Sequence, residues 1–500
     1  MALQINGNTV VDDNRRFFGD TTNNNFFANN GGNTTTTGTN NTFIGFSAGS
    51  CNTTGSRNNF FGNQSGFWNT TGSYNNFIGN YAGAGIGGIN SSGCYNNFIG
   101  AGAGAFNTTG CYNDFFGACA GFSNTSGVNN IFIGKQAGYC NTSGFTNISI
   151  GLCAGYSNTT GTFNIFLGSN AGKDSTGGLG NVVLGGNAGS SITTGSFNNF
   201  IGSNAGQCTT SGSENIFIGR CAGRSNTNGS CNYFSGLCAG FCNTSGSFNT
   251  FFGYLTGREN TTGCYNNFIG AGAGLYNSTG CYNNYFGRCA GRGFSFELST
   301  GSNNNYFGLF AGLSQTTASN NNFFGMYAGR ANCTGSYNNF FGLCAGLCNI
   351  TGTCNIFIGT CSGAGNTTGS NNIFINNTGS NVSNQTCIGN VNTVTTYTFG
   401  DFISEGNVTA YSDESLKENI ERIQNALEKV RSLEGVTYNR NDYPDKPRHM
   451  GLIAQCVEKV IPEVIGEADG KLTVAYGNLI ALVVEAIKEI DERLEVLEGK

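Results

Sequence analysis

The chain has 500 residues, of which only 10% are charged and 81 are glycine. Of its 23 Lys+Arg and 28 Asp+Glu residues, 12 and 18 lie in residues 411–500, so the chain combines a nearly uncharged part with a short charged one. Ordinary globular domains carry about a quarter of their residues as charged side chains. The uncharged part also lacks the basic surface that nucleic-acid binding requires, so nucleic acid is not expected as a partner.

Residues 1–40 precede the regular part of the chain. Met1 to Asp12 shows neither the basic stretch nor the apolar stretch of an export signal. No apolar run approaches the ~20 residues that span a bilayer. We therefore expect a chain that is synthesised in the cytoplasm and does not insert into a membrane.

A 17-residue block repeats through most of the chain. A glycine that ends a predicted strand recurs every 17 residues from Gly45 to Gly359, and only the intervals Gly79–Gly100 and Gly287–Gly308 are longer, each by four residues. A fixed period indicates one unit stacked many times. In each block Tyr-Asn-Asn-Phe-Ile-Gly is typical of a short strand and Asn-Thr-Thr-Gly of a turn. The sequence predicts a mainly β fold, with a β-solenoid shaft over residues 41–376 and a β neck over residues 377–411.

Apolar residues occupy successive positions of the predicted strands, as in Phe60-Phe61, Phe340-Phe341 and Ile131-Phe132-Ile133. Successive side chains point to opposite sides of a strand, so both sides need cover. Further copies of the same rod would supply it, and we expect a parallel homo-oligomer, most simply a homotrimer. Whether the chains intertwine or stand side by side stays open. Asn, Thr and Ser are expected at exposed positions, where stacked asparagines can form hydrogen-bonded ladders.

Most of the 21 cysteines lie in the repeats, where sister repeats carry other residues in the same slots. We interpret them as small buried thiols. Neither Cys-x-x-Cys nor mixed Cys and His clusters occur, so no metal is expected. The run Gly100–Gly104 is similar to a phosphate-binding loop, but no helix with a lysine follows it, so no nucleotide or other cofactor is expected.

Glycoside hydrolysis uses a pair of carboxylates. Those of the shaft are scattered singly through the coils, although carboxylates of adjacent chains could still meet. They are Asp114, Asp174, Glu214, Glu259 and Glu297. No turnover enzyme is therefore expected in the shaft.

The last ninety residues read as a small α+β domain, residues 412–500. Residues 407–411 predict a strand, and a helix is expected from Ser412 through Val430, with Ser415 and Glu418 at capping-box spacing. A strand at Val436–Tyr438, a helix over Gly451–Val460 and a hairpin turning at Asp469-Gly470 follow.

The final segment carries apolar residues alternately four and three apart, which is the spacing of a coiled-coil seam. They are Tyr476, Ile480, Val483, Ile487, Ile490, Leu494 and Leu497. The seam favours association of helices from several chains. The alternative is an amphipathic helix that packs on its own domain.

The motifs Ser-Asp-Glu-Ser-Leu-Lys-Glu-Asn-Ile at 412–420, Gly-Leu-Ile-Ala-Gln at 451–455 and Glu-Lys-Val-Ile-Pro-Glu-Val at 458–464 resemble the endosialidase-type intramolecular chaperone domain of phage tail spikes and fibres. The resemblance implies a trimerising domain that guides folding of the fibre before it and then releases itself by serine autoproteolysis. By position, it implies that Ser412 is the nucleophile, Lys417 its partner and Tyr411–Ser412 the bond that is cleaved.

The residues are compatible with that chemistry, because a serine hydroxyl needs a base and a neutral lysine amine can serve. Taken alone, a serine and a lysine five residues apart are often accidental, and Ser412 could simply cap a helix. His449 offers another base, but a lone histidine next to Arg448 is a weak candidate.

The opening Leu3–Asp13 resembles the start of fibre proteins in phages of cyanobacteria, which implies that residues 1–40 attach to the virion. The hypothesis is a viral tail fibre whose partners are itself, tail or baseplate proteins of the virion, and a host surface receptor, with a glycan among the candidates. The alternatives are a trimeric cell-surface adhesin or filament, whose heads the repeats resemble in style, and a glycan-degrading tail spike.

Overall fold

The computed structural model describes residues 17–19, 24–27, 31–32, 36–85, 87, 89, 91–294, 297–390, 405, 412–441, 448–468 and 470–499. The segment Leu3–Asp13, the predicted strand at 407–411 and Tyr411 lie outside these residues. The chain divides into two compact units, residues 1–396 and 397–500.

Three-residue strands at regular intervals make up the first unit. They are β1 Phe17–Gly19, β2 Asn25–Phe27, β3 Thr42–Ile44, β4 Asn59–Phe61, β5 Asn76–Ile78, β6 Asn97–Ile99, β7 Asp114–Phe116, β8 Ile131–Ile133, β9 Ile148–Ile150, β10 Ile165–Leu167, β11 Val182–Leu184, β12 Asn199–Ile201, β13 Ile216–Ile218, β14 Tyr233–Ser235, β15 Thr250–Phe252, β16 Asn267–Ile269, β17 Asn284–Phe286, β18 Asn305–Phe307, β19 Asn322–Phe324, β20 Asn339–Phe341, β21 Ile356–Ile358, β22 Ile373–Ile375 and β23 Thr386–Ile388.

Strands β2 to β23 pair in parallel, each with the next along the chain, so the predicted β-solenoid is confirmed. The register is one full block, as in Phe323 opposite Phe340. Each coil therefore stacks on neighbouring coils of its own chain. Strands β2 and β23 extend the stack beyond residues 41 and 376, and β1 pairs antiparallel with β2.

Glycines let the backbone turn at each strand end. Gly342 follows β20 with φ of +143°, a conformation that side chains disfavour, and a Cβ at that position would overlap the carbonyl oxygen of Gly359 in the next coil. Four residues on, Gly346 has φ of +59°, and a Cβ there would overlap the ring of Phe340. Glycine recurs every 17 residues because each coil bends at these positions and successive coils approach most closely there.

The core is a column of side chains contributed by the middle residue of each strand from β2 to β23, and these are aromatic rings except at Ser149, Val183 and Cys387. Phe323, Phe340 and Phe357 are fully buried, and successive centroids are 4.7 Å apart with nearly parallel planes. Ala345, four residues after Phe341, is also fully buried beside the column. The residues that flank each middle residue point outward and stay half-exposed or exposed. Within one chain only one side of each strand is covered, so Ile131-Phe132-Ile133 is not buried on both faces.

Asparagines line the inside of the coils, contrary to the expectation that they would all be exposed. The residue before each strand from β2 to β22 is a buried asparagine, and Asn232 is typical. Its Nδ2 donates to Gly246 O at 2.8 Å, and its Oδ1 accepts from the backbone N–H of Asn249 at 3.0 Å. A second buried column includes Asn243, whose Nδ2 donates to Asn226 Oδ1 at 2.9 Å. The predicted asparagine ladders are confirmed. Two of them lie inside the coils, where apolar residues would be expected, because their amides form hydrogen bonds with the buried backbone groups of the turns.

The cysteines of the shaft are half-buried or exposed, so the interpretation as buried thiols was wrong. Several of them, such as Cys221 and Cys344, occupy coil corners where the backbone has positive φ, whereas Cys387 lies in β23 and packs against the core. Among the described residues no helix has the length and apolarity required to cross a bilayer.

The described residues of the second unit include the α-helices α1 Ala426–Arg431, α2 Ala454–Glu458 and α3 Leu479–Glu498, and 3₁₀ helices at Glu414–Leu416, Pro462–Val464 and Tyr476–Asn478. They also include two antiparallel hairpins, β24 Val436–Asn439 with β25 Arg448–Gly451, and β26 Ile465–Ala468 with β27 Lys471–Val474. The predicted strand at Val436, the hairpin at Asp469-Gly470 and the final helix are confirmed.

Two predicted helices are shorter than expected. The helix expected from Ser412 to Val430 is interrupted because Asn419 and Asn425 both adopt left-handed backbone conformations, and α1 begins only at Ala426. Asp413, not Ser415, caps the first short turn. The helix expected from Gly451 begins at Ala454, because Gly451 belongs to β25 and pairs with Val436.

Candidate functional site

Ser412 and Lys417 contact each other at the start of the described part of the second unit. The 3₁₀ turn Glu414–Leu416 reverses the chain, and Lys417 follows it. Lys417 Nζ donates to Ser412 Oγ at 2.7 Å and to Ser412 O at 3.1 Å. The fold therefore brings together the two residues that the sequence suggested, and Tyr411, whose carbonyl carbon would be attacked, lies outside the described residues.

Asp413 organises this turn. Its Oδ1 accepts from the backbone N–H of Ser415 at 2.8 Å and from Ser415 Oγ at 2.5 Å, and these hydrogen bonds lower the pKa of the Asp413 carboxyl. The carboxylate is thus engaged with Ser415 and leaves the hydroxyl of Ser412 to Lys417. Both Ser412 and Lys417 are exposed in the single chain.

His449 lies on β25, where its ring packs against Tyr438 across the hairpin, with centroids 5.8 Å apart. This contact gives it a packing role. This described contact of His449 lends no support to the histidine alternative.

Arg422, in the segment after Lys417, forms ion pairs with helix α3. Its Nε lies 2.7 Å from Glu485 Oε2, and its Nη2 lies 3.5 Å from Glu492 Oε1. Glu489 then accepts from the backbone N–H groups of Ala426 and Leu427 at 2.7 and 2.9 Å. These two bonds cap the start of α1 and lower the pKa of Glu489. Sequence reasoning missed this cap, because the partners are about sixty residues apart.

The core of the second unit uses a different side of α3 from the predicted seam. Leu482 and Ala486 are buried against Leu427, Val457 and Val464. All seven seam residues are exposed, with Ile487 at 58% and Ile490 at 42%. Helix α3 therefore packs on its own domain through Leu482 and Ala486, as the alternative expected, but not through the seam residues, which form a second apolar face that is exposed in the single chain.

The first unit also has an uncovered apolar surface, formed by the outward side chains of the strands. We call it the strand face, and it consists of the first and third residues of strands β3 to β22. Its third residues include Ile78, Phe252 and Phe341, which are exposed. Among the scattered carboxylates, Asp114 ends an asparagine ladder on this face and Glu259 pairs with Arg258 at 2.5 Å, so both have structural partners. Within the described residues no group of three metal-ligating side chains is close enough to hold an ion.

Comparison with known sequences identifies the class of the second unit. Residues 412–466 match the family described as chaperone of endosialidase, and the match begins at Ser412. The protein thus combines a β-solenoid of repeats with a later segment that is similar to the chaperone-of-endosialidase family.

Over 20% of its length the chain is also similar to phage long tail fibre proteins. It is 38% identical over 106 residues to "Long tail fiber protein Gp37" of Enterobacteria phages K3 and T2, which is 20% of this chain and 8% of each relative. The protein of the same name in Enterobacteria phage M1 is 38% identical over 112 residues, 20% of this chain and 45% of that relative. The chain thus covers less than half of the length of these relatives. No solved structure matches the chain.

Proposed function

We propose that the chain is a homotrimeric tail-fibre shaft whose C-terminal domain directs assembly and then separates by self-cleavage between Tyr411 and Ser412. The observation that carries the proposal is the 2.7 Å contact of Lys417 Nζ with Ser412 Oγ at the first residue of the chaperone-of-endosialidase match. In this function the shaft belongs to the virion, residues 1–40 join tail or baseplate proteins, and a host receptor such as a glycan is bound elsewhere along the fibre.

The uncovered seam of α3 supports association of three chains. A heptad spacing keeps one apolar stripe facing a neighbouring helix over its whole length. Its members are exposed, while Leu482 and Ala486 serve the domain's own core. Identical helices from further copies match such a stripe, and the resulting bundle would hold the preceding chains together while they fold.

The chemistry proposed for cleavage is an acyl shift followed by hydrolysis. Ser412 Oγ attacks the carbonyl carbon of Tyr411 and gives its proton to the neutral amine of Lys417. The C–N bond then breaks, the proton moves to the nitrogen of Ser412, and an ester joins Tyr411 to the Ser412 side chain. Water hydrolyses the ester, which leaves a carboxylate on Tyr411 and restores the hydroxyl of Ser412.

Assembly would favour this reaction. Lys417 can act as a base only as a neutral amine, and removal of surrounding water favours the neutral form. In the single chain the pair is exposed, and so are Leu416 and Ile420 beside it. Packing of neighbouring copies over these apolar side chains would exclude water from Lys417.

Mass spectrometry of the purified full chain tests the proposal. We expect a fragment that begins at Ser412. Light scattering of the cleaved shaft should give three times the mass of residues 1–411. Full-length wild-type chain that persists as in Ser412→Ala would reject self-cleavage, and a monomeric mass would reject the trimer.

A further inference from the structure

The strand face carries an apolar column along its whole length. The third residue is Ile, Leu or Phe in every strand from β3 to β22 except β14, which has Ser235. Several of these side chains are exposed, and Phe286, Phe307, Phe324 and Phe341 form a stack with centroids 4.7 to 5.1 Å apart. Soluble monomers rarely expose a continuous apolar surface of more than a few hundred Å².

The face is also almost free of charge. Of all charged residues between positions 41 and 376, only Asp114 occupies a first or third strand position. The others lie at coil corners and turns, as Arg57, Glu214 and Arg258 do. This separation distinguishes the strand face from the surfaces that meet solvent, and it fits a partner surface that is itself uncharged and apolar.

The first residues of the strands alternate in blocks. The first residues of β4 to β7 are polar, Asn59, Asn76, Asn97 and Asp114, and those of β8 to β11 are apolar, Ile131, Ile148, Ile165 and Val182. The first residues of β12 to β15 are mixed, those of β16 to β20 are all Asn, and those of β21 and β22 are Ile. The polar blocks are hydrogen-bonded ladders. Asn59 Nδ2 donates to Asn76 Oδ1 at 2.8 Å, and Asn97 Nδ2 donates to Asp114 Oδ1 at 2.6 Å.

We propose that the strand face is the contact surface between parallel copies of this chain, and that the block pattern sets their axial register. The inference rests on the proposed homotrimer and specifies which surface forms it. When identical chains stand parallel at the same level, ladders meet ladders and Ile blocks meet Ile blocks. A slip of one coil places Asp114 opposite Ile131 and Asn339 opposite Ile356, which leaves polar groups against apolar ones at these boundaries.

The area of the face suits this partner. Twenty coils at ~4.8 Å give a length of about 95 Å, and with a width of about 10 Å the face measures roughly 900 Å² per chain. Stable interfaces bury about 800 Å² per partner. A long copy of the same surface covers the face completely, whereas a compact protein would cover a few coils.

A photo-crosslinking experiment on the full chain tests the surface. The probe benzoylphenylalanine replaces Phe252, a third-position residue that is 52% exposed, and in a matched variant it replaces Phe248, a corner residue of the same coil that is 50% exposed. After irradiation and proteolysis, a peptide that is linked to another copy of itself can come only from two chains at the same level. We expect such self-linked peptides from position 252 and not from position 248.

The outcomes separate this inference from the proposed trimer. A trimeric mass without interchain links at position 252 would overturn the surface and leave the trimer intact, whereas a monomeric mass would reject the trimer itself. Interchain links without self-linked peptides would reject the level alignment.

A second variant tests the block pattern. Changing Ile131, Ile148, Ile165 and Val182 to Asn makes the first column polar from Asn59 to Asn199, and the control changes only the three isoleucines to Val. We expect the yield of self-linked peptides at position 252 to fall several-fold in the Asn variant and to hold in the control. An unchanged yield in a trimeric Asn variant would show that the pattern does not set register.

Discussion

The amine of Lys417 lies 2.7 Å from the hydroxyl oxygen of Ser412, across a turn of five residues. A turn this short places the base at the nucleophile without help from any distant element. Lys417→Arg should keep the chain folded and abolish cleavage, because arginine stays charged and cannot accept the proton. Intact-mass measurement should show full-length chain in this variant and in Ser412→Ala. A Ser415→Ala variant alters the neighbouring turn and should still cleave; release of the fragment from Lys417→Arg would contradict the role of Lys417.

The column of core rings predicts a large difference between two phenylalanines of one coil. Phe200 is fully buried between Val183 and Phe217, whereas Phe197 is 57% exposed at the corner. Phe200→Ala should lower the free energy of unfolding by about 3 to 5 kcal/mol, and Phe197→Ala by less than about 1 kcal/mol. Chemical denaturation of the shaft measures both, and equal losses would contradict the assignment of the core to the middle strand residue.

The inner asparagine ladder predicts a cost for removing one amide. Asn232→Ala leaves the backbone N–H of Asn249 without its acceptor in a buried position, whereas Gly246 O keeps a hydrogen bond from Asn243 Nδ2. We expect a loss of about 1 to 3 kcal/mol for this unpaired group, and about 0.5 kcal/mol or less for Asn228→Ala at the exposed turn. The same denaturation experiment compares the two variants. Similar stabilities would mean that the ladder contributes nothing beyond the turn sequence.

The seam of α3 predicts which substitutions prevent assembly. Ile487→Glu places a charge on the exposed seam and should convert the trimer to monomer, while Val496→Glu, at an exposed position off the seam, should leave the trimer intact. Light scattering of both variants in the Ser412→Ala background, which retains the domain, measures the mass. A trimeric Ile487→Glu chain would show that the seam is not required to assemble the trimer, even though the strand face then holds the assembled copies.

Glu489 predicts a pH dependence for helix α1. Hydrogen bonds from Leu427 and Ala426 lower its pKa from the ordinary value of 4.5, so its contribution to stability is present above that value and is lost as pH falls through the lowered pKa. Hydrogen exchange of residues 426–431 in the full chain, corrected for intrinsic rates, should show protection at neutral pH that decreases in acid. In Glu489→Gln the protection should be lower at neutral pH and nearly independent of pH. Identical profiles in the two proteins would rule out the cap.

Much of the candidate site could be predicted from local sequence, and the rest depends on contacts between distant residues. The Ser412 and Lys417 pair is local, and so is the strand signal of Tyr-Asn-Asn-Phe-Ile-Gly. The break of the first helix at Asn419 and Asn425 was not predicted, because it is accompanied by the pairing of Arg422 with Glu485, which lies 63 residues away.

For the shaft, the 17-residue period by itself determined the solenoid, its strand positions and its glycine turns, because a fixed repeat requires every coil to bend at the same residues. Only the tertiary structure decided which side of each strand is inside. It placed Phe340 in the core and Phe341 outside, and it buried Asn338 in a ladder that composition alone assigns to the surface. The physical reason is that the turns leave backbone carbonyls inside the coil, and an asparagine amide satisfies them where an apolar side chain cannot.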